Sequence, residues 1–331
     1  MLNNKSILVT GGTGSFGQNF IRSVLSSYHP KRLVVFSRDE LKQFEMEQKF
    51  PVVKYPSIRF FIGDVRDANR LEMALRNIDF VIHAAALKQV PAAEYNPFEC
   101  IHTNVLGAEN VVNASIRAGV KKVIALSTDK ATSPINLYGA SKLASDKIFV
   151  AANHLSPPNG PRFSVVRYGN VVGSRGSVVP VFQKLISEGA KSLPITDERM
   201  TRFWITLDQS VSFVLECIKD MTGAEIFIPK IPSVKIIDLA NCLAPNLPVH
   251  VIGIRPGEKL HEVMITEDDA RTTVDLGDRY IIQPAFKEWT SANKKSPSAM
   301  PVADGFRYAS NTNEQWLSDE GLKKLINDGQ Y

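Results

Sequence analysis

The side chains best suited to chemistry in this sequence are a tyrosine and a lysine four positions apart. Tyr138 and Lys142 stand in the segment YGASK, and on a helix their side chains lie on one face, one turn apart. A lysine ammonium beside a phenol favours the phenolate, and the positive charge of a bound cofactor ring does the same, so we predict that together they lower the pKa of Tyr138 from about 10 toward the working pH. A phenolate at this position would act as a general base.

Elements that alternate between strand and helix must position this pair. Short apolar runs predict strands at residues 6–10, 32–36, 58–62, 80–84, 122–126 and 163–166. The segments between them predict helices at residues 18–26, 40–50, 67–78, 105–118 and 138–153. Strands that are continuously apolar are buried on both faces. The sequence therefore predicts an α/β fold, a Rossmann-type doubly wound parallel sheet covered by helices on both sides.

The second half of the chain loses this rhythm and predicts a different organisation. Helices are predicted at residues 178–188, 207–221 and 235–243, and a short capped helix at 311–325. We predict a cofactor-binding domain at 1–167, to which segments such as 205–228 return, and a smaller interleaved substrate lobe at 168–270. Residues 271–331 are predicted as a C-terminal tail with a short helix, because much of this part shows little periodicity and much Ser, Lys and Pro.

A glycine-rich turn follows the first predicted strand and opens a helix. The segment TGGTGSFG has the spacing GxxGxxG, which allows a tight turn, close approach of a pyrophosphate and close packing of the helix. The helix N-terminus adds free N–H groups and a positive dipole end. We predict that this turn binds a dinucleotide through Thr10, Gly11, Gly14, Ser15, Phe16 and Gly17.

The end of the second predicted strand indicates which dinucleotide is bound. Ser37 and Arg38 offer a donor and a cation to a 2′-phosphate, whereas an acidic residue would favour the free ribose of NAD. Asp39 is also predicted to contact the cofactor, with the alternative that it only serves as the N-cap of the next helix. NADP is therefore favoured over NAD. Further cofactor contacts are predicted for Lys42, Asp64, Val65, Ala84, Ala85, Ala86, Asn104 and Val171.

Composition and charge argue against several classes of protein. The net charge of +5 is not concentrated in basic blocks, which suits an anionic small molecule better than a nucleic acid. The three cysteines lack the spacing of a metal site and are typical of reduced thiols in a cytoplasmic protein. No apolar run reaches the roughly 18 residues of a membrane span. The first strand-like run begins too early to leave room for a signal peptide.

Six motifs together identify a resemblance. TGGTGSFG, HAAALK, STDKA, YGASK, YGNVVGSRGSVVP and RPGEKLHE resemble the extended short-chain dehydrogenase/reductase superfamily. Within it the chain is similar to the inverting UDP-N-acetylglucosamine 4,6-dehydratases, which open pseudaminic acid biosynthesis. The resemblance covers residues 5–264. Its most specific feature is Thr128-Asp129-Lys130, where ordinary hexose 4,6-dehydratases of the superfamily carry Thr-Asp-Glu.

This resemblance implies a role for each residue of the predicted centre. Tyr138 accepts the proton of the sugar 4-hydroxyl, which Thr128 positions, while hydride passes to a tightly bound nicotinamide. The 4-ketone acidifies the C5 proton, so that water can be eliminated. Asp129 is the candidate acid, and Lys130, deprotonated among other cations, is the candidate base. As alternatives, Asp129 could cap a turn and Lys130 could contact a phosphate. Return of hydride to C6 regenerates the cofactor, and protonation on the opposite face inverts C5.

The nucleotide diphosphate of such a substrate needs cations and donors in the second lobe. The substrate-binding residues that the motifs imply are Lys88, Asn170, Val178, Thr201, Arg202, Arg255 and Glu258. In the superfamily the helices corresponding to 105–118 and 138–153 pair between subunits, which predicts a homo-oligomer built on dimers, either a dimer or a larger assembly such as a hexamer.

Three other hypotheses compete with this interpretation. A nucleotide-sugar 4-epimerase or reductase would use the same fold, but it needs no dehydrating acid–base pair such as Asp129 and Lys130. A retaining dehydratase usually carries membrane-spanning N-terminal regions, which this sequence does not predict. A non-catalytic dinucleotide sensor should have lost Tyr138 or Lys142, and both are present.

Overall fold

The computed structural model describes residues 1–174, 176–286 and 299–328. The first half of the chain alternates strands and helices as the sequence predicts. Its elements are β1 (Ser6–Thr10), α1 (Ser15–Ser27), β2 (Arg32–Ser37), α2 (Glu40–Lys49), β3 (Ile58–Ile62), α3 (Ala68–Ala74), β4 (Phe80–His83), α4 (Val90–Tyr95), α5 (Pro97–Ile101), a π turn (His102–Leu106), α6 (Gly107–Ala118), β5 (Lys122–Thr128), a 3-10 turn (Asp129–Ala131), α7 (Leu137–Leu155) and β6 (Arg162–Tyr168).

The second half consists of shorter elements. They are β7 (Asn170–Val171), α8 (Val178–Ser187), β8 (Leu193–Ile195), β9 (Thr201–Ile205), α9 (Leu207–Asp220), β10 (Ile226–Pro229), β11 (Ser233–Lys235), α10 (Ile236–Leu243), β12 (Val249–Val251), β13 (Val263–Ile265), α11 (Glu267–Ala270), β14 (Thr273–Asp275), β15 (Arg279–Ile282), β16 (Met300–Pro301), β17 (Tyr308–Ala309) and α12 (Asp319–Asp328).

One large sheet forms the centre of the molecule. Its strand order is β3-β2-β1-β4-β5-β6-β10, all parallel, followed by the antiparallel strands β15, β14 and β16. The order reverses between β1 and β4, which is where ligands bind in doubly wound sheets, beyond the carboxyl ends of the strands. The predicted α/β fold with a parallel sheet is confirmed.

Two hydrophobic cores hold the elements in place. All five residues of β1 are buried, and α1 packs Phe20, Ile21 and Val24 against the sheet. Burying each such side chain contributes about 1.5–3 kcal/mol before chain entropy is counted. A second core lies between α8, β8, α10 and α12, and its largest fully buried side chain is Trp204. The segment that contains α9 and β10 returns to the central sheet: α9 contacts α1, and β10 pairs with β6.

The end of the chain differs from the prediction of a tail. β14 and β15 pair antiparallel and extend the central sheet through β10. Gly277, with φ of 93°, forms their turn, and its N–H donates to the Asp275 carboxylate over 2.7 Å. The two strands of this hairpin are too short to show a periodic pattern in the sequence. Residues 287–298 of the predicted tail lie outside the described residues.

The helix predicted at 311–325 begins later, at Asp319. Asn313 instead donates to the carbonyl of Ile231 and to Ser233, and the N–H of Ser233 donates to the carbonyl of Gln315. These bonds hold the preceding segment extended against β11. Ser318 then accepts from the N–H of Gly321 and serves as the cap. Among the residues that the structure describes, no helix is both long and apolar enough to span a membrane.

Candidate active site

A cleft of about 710 Å³ opens beyond the carboxyl ends of the parallel strands, between the sheet and the second lobe. It collects most of the residues that the sequence predicts. Those lining it are Gly11, Gly14, Ser15, Phe16, Gly17, Ser37, Arg38, Lys42, Asp64, Val65, Ala84, Ala85, Ala86, Lys88, Thr128, Lys130, Tyr138, Lys142, Asn170, Val171, Arg202, Arg255 and Glu258. Six predicted residues, all within the described ranges, do not line it: Thr10, Asp39, Asn104, Asp129, Val178 and Thr201.

The glycine-rich turn forms one end of the cleft. Gly11 has φ of 63°, and a Cβ there would lie 2.8 Å from the backbone nitrogen of Ala85, so only glycine fits. A Cβ on Gly17 would collide with the backbone of Gly12. Gly14 is the N-cap of α1 and provides no side-chain cap, which leaves the first N–H groups of the helix to a ligand. These features fit a pyrophosphate.

Ser37, Arg38 and Lys42 surround the place where the adenosine half of a dinucleotide would lie. The Ser37 hydroxyl is 2.8 Å from that of Thr13, and the Arg38 guanidinium is 3.5 Å from Asp64 with half of its side chain exposed. Asp39 is absent from the cleft wall because it caps α2 through the N–H of Lys42 and pairs with the Lys42 ammonium at 2.7 Å. These contacts with Lys42 lower the pKa of Asp39.

Asp64 is held by arginines on both sides. Its carboxylate is 2.8 Å from the Arg66 guanidinium and 3.5 Å from that of Arg38. Burial opposes ionisation, but the hydrogen bonds and charge of Arg66, with a smaller effect of Arg38, keep the pKa of Asp64 below its ordinary value. The carboxylate therefore stays an acceptor at the cleft wall.

Thr10 lies beneath the cleft rather than in its wall, because its hydroxyl supports the neighbouring strand end. The oxygen accepts from the N–H groups of Ala84 and Ala85, each at 3.2 Å, and lies 2.8 Å from His83 Nδ1. His83 packs against Phe149, and burial lowers its pKa to about 3. The prediction of Thr10 as a direct contact is corrected to a supporting role, and His83 is a buried packing residue.

Asn104 also supports the cleft from below. Its side chain accepts from the N–H of Leu87 at 2.8 Å and donates to the Leu87 carbonyl and the Ser141 hydroxyl, both at 2.9 Å. Leu87 lines the cleft just after the Ala84–Ala86 segment. Asn104 therefore fixes this loop against α7, and its prediction as a direct cofactor contact is wrong for that reason.

Tyr138 and Lys142 lie on the same face of α7 and both line the cleft. Asn136 caps the helix by accepting from the N–H of Gly139 at 2.7 Å, which sets the position of the first turn. Burial raises the pKa of Tyr138 to about 12, although the charge of Lys130 and a hydrogen bond with Thr128 work in the opposite direction. The predicted fall in the pKa of Tyr138 is therefore not produced by the protein groups around it.

Lys142 is buried and faces a second charged residue one turn along α7. Burial lowers the pKa of Lys142, while the charge of Asp146 raises it. Asp146 accepts from Ser127 at 2.8 Å and pairs with Arg167 at 3.3 Å. This buried network ties the helix that carries Tyr138 and Lys142 to β5 and β6.

Asp129 and Lys130 form an ion pair at the carboxyl end of β5. Asp129 Oδ1 accepts from the Thr128 hydroxyl at 2.9 Å and from Lys130 Nζ at 3.1 Å. Asp129 is fully buried behind Lys130, and its Oδ2 has no hydrogen-bond partner among the described residues. Asp129 therefore does not line the cleft itself, but it is hydrogen-bonded to Thr128 and Lys130, which do.

Lys130 is not the neutral amine that the sequence predicts. Its Nζ lies 3.0 Å from Glu262 Oε1 in addition to the Asp129 contact. Burial by itself lowers the pKa of Lys130, but the charges of Asp129 and Glu262 outweigh it and hold the pKa above its ordinary value. The two carboxylates that contact Nζ directly therefore favour an ammonium as the resting form of Lys130.

The second lobe contributes the opposite wall. Arg202 is buried and donates to the carbonyls of Lys259 at 2.9 Å and Leu260 at 3.1 Å, so it shapes the cleft by holding this loop. Glu258 is 3.5 Å from Arg202, and within the described part of the chain its Oε2 has no partner. Arg255 is exposed at the rim.

Three further predicted substrate contacts differ in their placement. Asn170 lines the cleft with a buried Oδ1 that no described residue hydrogen-bonds, as a ligand contact would require. Thr201 is turned away, because its hydroxyl lies 2.8 Å from His261 Nδ1 and 2.7 Å from Ser310 Oγ. Val178 begins α8, and its neighbour Ser177 lines the cleft instead. Burial and the charge of Lys130 lower the pKa of Lys88.

The sequence prediction misses Glu262, Lys259 and Tyr168, which also line the cleft. Glu262 and Lys259 stand in the motif RPGEKLHE, of which the resemblance assigns only the first charged residues to the substrate. Tyr168 ends β6 directly before Gly169 and Asn170, and burial raises the pKa of its phenol. The position at a strand end is the signal that could have identified Tyr168.

Comparisons with known proteins agree with this architecture. A family model described as polysaccharide biosynthesis protein matches residues 7–284. A Campylobacter jejuni protein named UDP-N-acetylglucosamine 4,6-dehydratase (inverting) is 58% identical over 99% of this chain and 98% of its own length. A Rickettsia canadensis protein named UDP-glucose 4-epimerase is 42% identical over 98% of this chain and 96% of its own.

A solved structure extends the similarity to three dimensions. The structure of Pen from Bacillus thuringiensis matches with a TM-score of 0.90 and 37% identity, and the match covers 99% of this chain and 98% of that one. The chain therefore belongs to the polysaccharide biosynthesis protein family, within the extended short-chain dehydrogenase/reductase superfamily.

Proposed function

We propose that this protein is an NADP-dependent, C5-inverting UDP-N-acetylglucosamine 4,6-dehydratase. One observation carries the proposal: Tyr138 and Lys142, which suit a redox step, share a cleft with Lys130, whose contact with Asp129 suits an elimination. The 58% identity to the Campylobacter jejuni dehydratase supports the same substrate and stereochemistry. The product is a UDP-2-acetamido-2,6-dideoxy-hexos-4-ulose of L-arabino configuration, which would feed pseudaminic acid biosynthesis.

The cleft fits a dinucleotide at the glycine-rich end. The space that a Cβ on Gly11 would fill and the uncapped N-terminus of α1 suit the pyrophosphate. Arg38, Lys42 and Ser37 favour a 2′-phosphate, because the Asp39 carboxylate is engaged with α2 and Lys42. A nicotinamide held in the cleft would supply the hydride chemistry, acceptance from C4 of the sugar and return to C6.

The chain's own residues prepare the oxidation. Tyr138 accepts the proton of the 4-hydroxyl, and Thr128, which is hydrogen-bonded to Tyr138, orients that hydroxyl. Because burial raises the pKa of Tyr138 to about 12, this step depends on positive charge close to the phenol. Lys130 supplies part of this charge. Lys142 supports the nicotinamide end of the cleft.

Elimination of water requires one base and one acid on the same sugar. The ion pair of Asp129 and Lys130 shares a single transferable proton over 3.1 Å. Transfer of this proton from Lys130 to Asp129 gives a neutral amine that can accept the C5 proton and a carboxylic acid. Because Asp129 does not line the cleft, its proton passes to the departing 6-hydroxyl through the Thr128 hydroxyl, which is hydrogen-bonded to Asp129 and lines the cleft. The pair gains one proton and loses one, and the proton that Tyr138 took from the 4-hydroxyl balances the proton that C5 needs when hydride returns to C6, so all three groups are restored for the next cycle. We propose Lys88, Asn170, Arg255 and Glu258 as contacts of the nucleotide sugar.

The test is incubation of the purified protein with UDP-N-acetylglucosamine without added oxidant. We expect a product lighter by one water, seen by mass spectrometry, with repeated turnovers on the bound cofactor. Asp129→Asn should slow dehydration by roughly 10²–10⁴-fold, the usual contribution of general acid–base catalysis. Full dehydration by this variant would contradict the assignment.

A second candidate is a nucleotide-sugar 4-epimerase, which the 42% identity to the Rickettsia canadensis protein favours. The two activities separate on mass, because epimerisation leaves it unchanged. Incubation with UDP-glucose and with UDP-N-acetylglucosamine, with chromatography of the sugars afterwards, decides between them. We also propose a homo-oligomer built on dimers, which light scattering of the purified protein tests.

A further inference from the structure

A carboxylate from a distant part of the chain faces Lys130 across the cleft. Glu262 immediately precedes β13 and is almost completely buried, yet it lines the cleft. Its Oε1 lies 3.0 Å from Lys130 Nζ and 3.8 Å from Arg202 Nε. Its second oxygen, Oε2, is buried without a hydrogen-bond partner in the described ranges of the chain. A buried acceptor in this state is costly, which points to a use beyond packing.

The backbone fixes Glu262 independently of its ion pairs. Its N–H donates to the Ser310 hydroxyl at 2.9 Å, and its carbonyl accepts from the Ser310 N–H at 2.8 Å. The carboxylate is therefore presented to Lys130 from a rigid position, opposite Asp129. The ammonium is held between two carboxylates that come from separate elements.

We propose that Glu262 is a positioning residue for water elimination, which holds the ammonium of Lys130 in the cleft against Asp129. This inference rests on the proposed dehydratase function. Glu262 acts through Lys130: it fixes where Nζ lies and keeps it charged until the substrate is bound.

The charges around Lys130 predict the effect of neutralising Glu262. The groups that face Lys130 are Asp129, Glu262, Arg202, Lys88, Lys259 and Tyr138. Without the charge of Glu262, the Asp129 carboxylate alone opposes the three cations around Lys130. Burial acts with the cations to lower the pKa of Lys130. The pKa of Lys130 then falls, so the pair loses its shared proton at a lower pH.

The decisive variant is Glu262→Gln, which keeps the size of the side chain. We expect dehydration to slow by about tenfold to a hundredfold, less than loss of the acid or base itself would cost. Oxidation at C4 should persist, so reduced nicotinamide accumulates in its near-ultraviolet absorbance band. The alkaline limb of the dehydration rate should move to lower pH, and KM should change little.

A second measurement reports the protonation state of Lys130 without turnover of a substrate. Competitive labelling with acetic anhydride, read by mass spectrometry of the peptides, reports the fraction of neutral amine at each pH. Lys130 should be labelled faster at neutral pH in Glu262→Gln than in the wild-type protein. The control is Glu267→Gln, which removes the same charge from an exposed position at the start of α11 and should change neither readout.

The outcomes separate this inference from the proposed function. If the wild-type protein forms no dehydrated product, the proposed function fails. If it dehydrates normally and Glu262→Gln matches Glu267→Gln in rate, pH limb and labelling, the role of Glu262 is overturned. An equal loss of oxidation and dehydration with unchanged labelling also overturns it. If Glu262→Gln does not fold, Glu262→Asp is the second variant, because it keeps the negative charge but moves the carboxylate away from Lys130 Nζ. The same accumulation of reduced nicotinamide is expected.

Discussion

At the scale of single residues, the structure and the sequence-based prediction differ in the charge state of Lys130. The sequence places two acid–base groups, Asp129 and Lys130, in the turn after β5, and most of the predicted residues line the same cleft. The predicted neutral state of Lys130 is wrong because Glu262, which faces it, comes from a part of the chain far away in sequence. Local patterns carry no information about such a contact. The same holds for the burial of Asp129 behind its neighbours.

Cofactor choice belongs to this scale, and Arg38 tests it. Arg38→Ala removes the guanidinium that lines the adenosine end while leaving its neighbour Asp64 paired with Arg66. We expect NADP binding to weaken by about 1.5–3 kcal/mol, the usual size of a hydrogen bond to a charged group, and NAD binding to change much less. Titration calorimetry with both nucleotides measures the difference. An equal loss for NADP and NAD contradicts the assignment.

At the scale of elements, the strands and most helices can be predicted from local sequence, whereas short elements cannot. Continuous apolar runs predict β1 to β6. A parallel strand buried on both faces, such as β1 or β2, leaves this pattern clearly, and the edge strand β3 shares it although only Ile58 is buried there. The hairpin of β14 and β15 has only three and four residues, and its pairing partner β10 lies far back in the chain. Nothing local distinguishes such strands from a loop.

The junction between α7 and β6 depends on a buried ion pair. Asp146→Asn would leave Arg167, which is almost fully buried, without its carboxylate. Removal of one partner from such a pair costs about 3–5 kcal/mol. We expect a loss of this size in the free energy of unfolding by urea. Glu72→Gln, which breaks an exposed pair with Arg117, is the control and should cost at most about 1 kcal/mol. Equal effects would contradict the burial argument.

The end of β4 should make the fold sensitive to acid. His83 is buried, and its pKa is lowered from 6.5 to about 3. Between these two pH values the unfolded chain binds a proton at this residue and the folded protein does not. Stability is therefore lost as pH falls from 6.5 toward 3, at about 1.4 kcal/mol per pH unit from this residue.

Comparison of urea unfolding at pH 7 and pH 5 measures this effect. The wild-type protein should lose about 2 kcal/mol through His83 over this interval, and His83→Gln should lose correspondingly less. His29→Gln alters an exposed histidine and should retain the wild-type slope. If His83→Gln also retains it, His83 is protonated in the folded protein and the argument is wrong.

At the scale of the whole molecule, the fold brings the residues of the proposed oxidation and of the proposed elimination to one place. The order reversal between β1 and β4 opens the cleft in which we propose that a dinucleotide binds, and the second lobe closes its far side with Arg202, Glu258 and Glu262. Tyr138 and Lys142 on α7 and the ion pair after β5 come from neighbouring elements, as the proposed action on one sugar requires. The central claim is that the two act in sequence on the same substrate.

The most direct test of this claim is turnover of UDP-N-acetylglucosamine in heavy water, with the sugar product read by NMR. We expect a 4-keto-6-deoxy product with deuterium at C5 and inverted configuration there, because removal and return of the C5 proton must pass through exchangeable groups of the protein. A product epimerised only at C4, without loss of water and without deuterium at C5, would contradict the account.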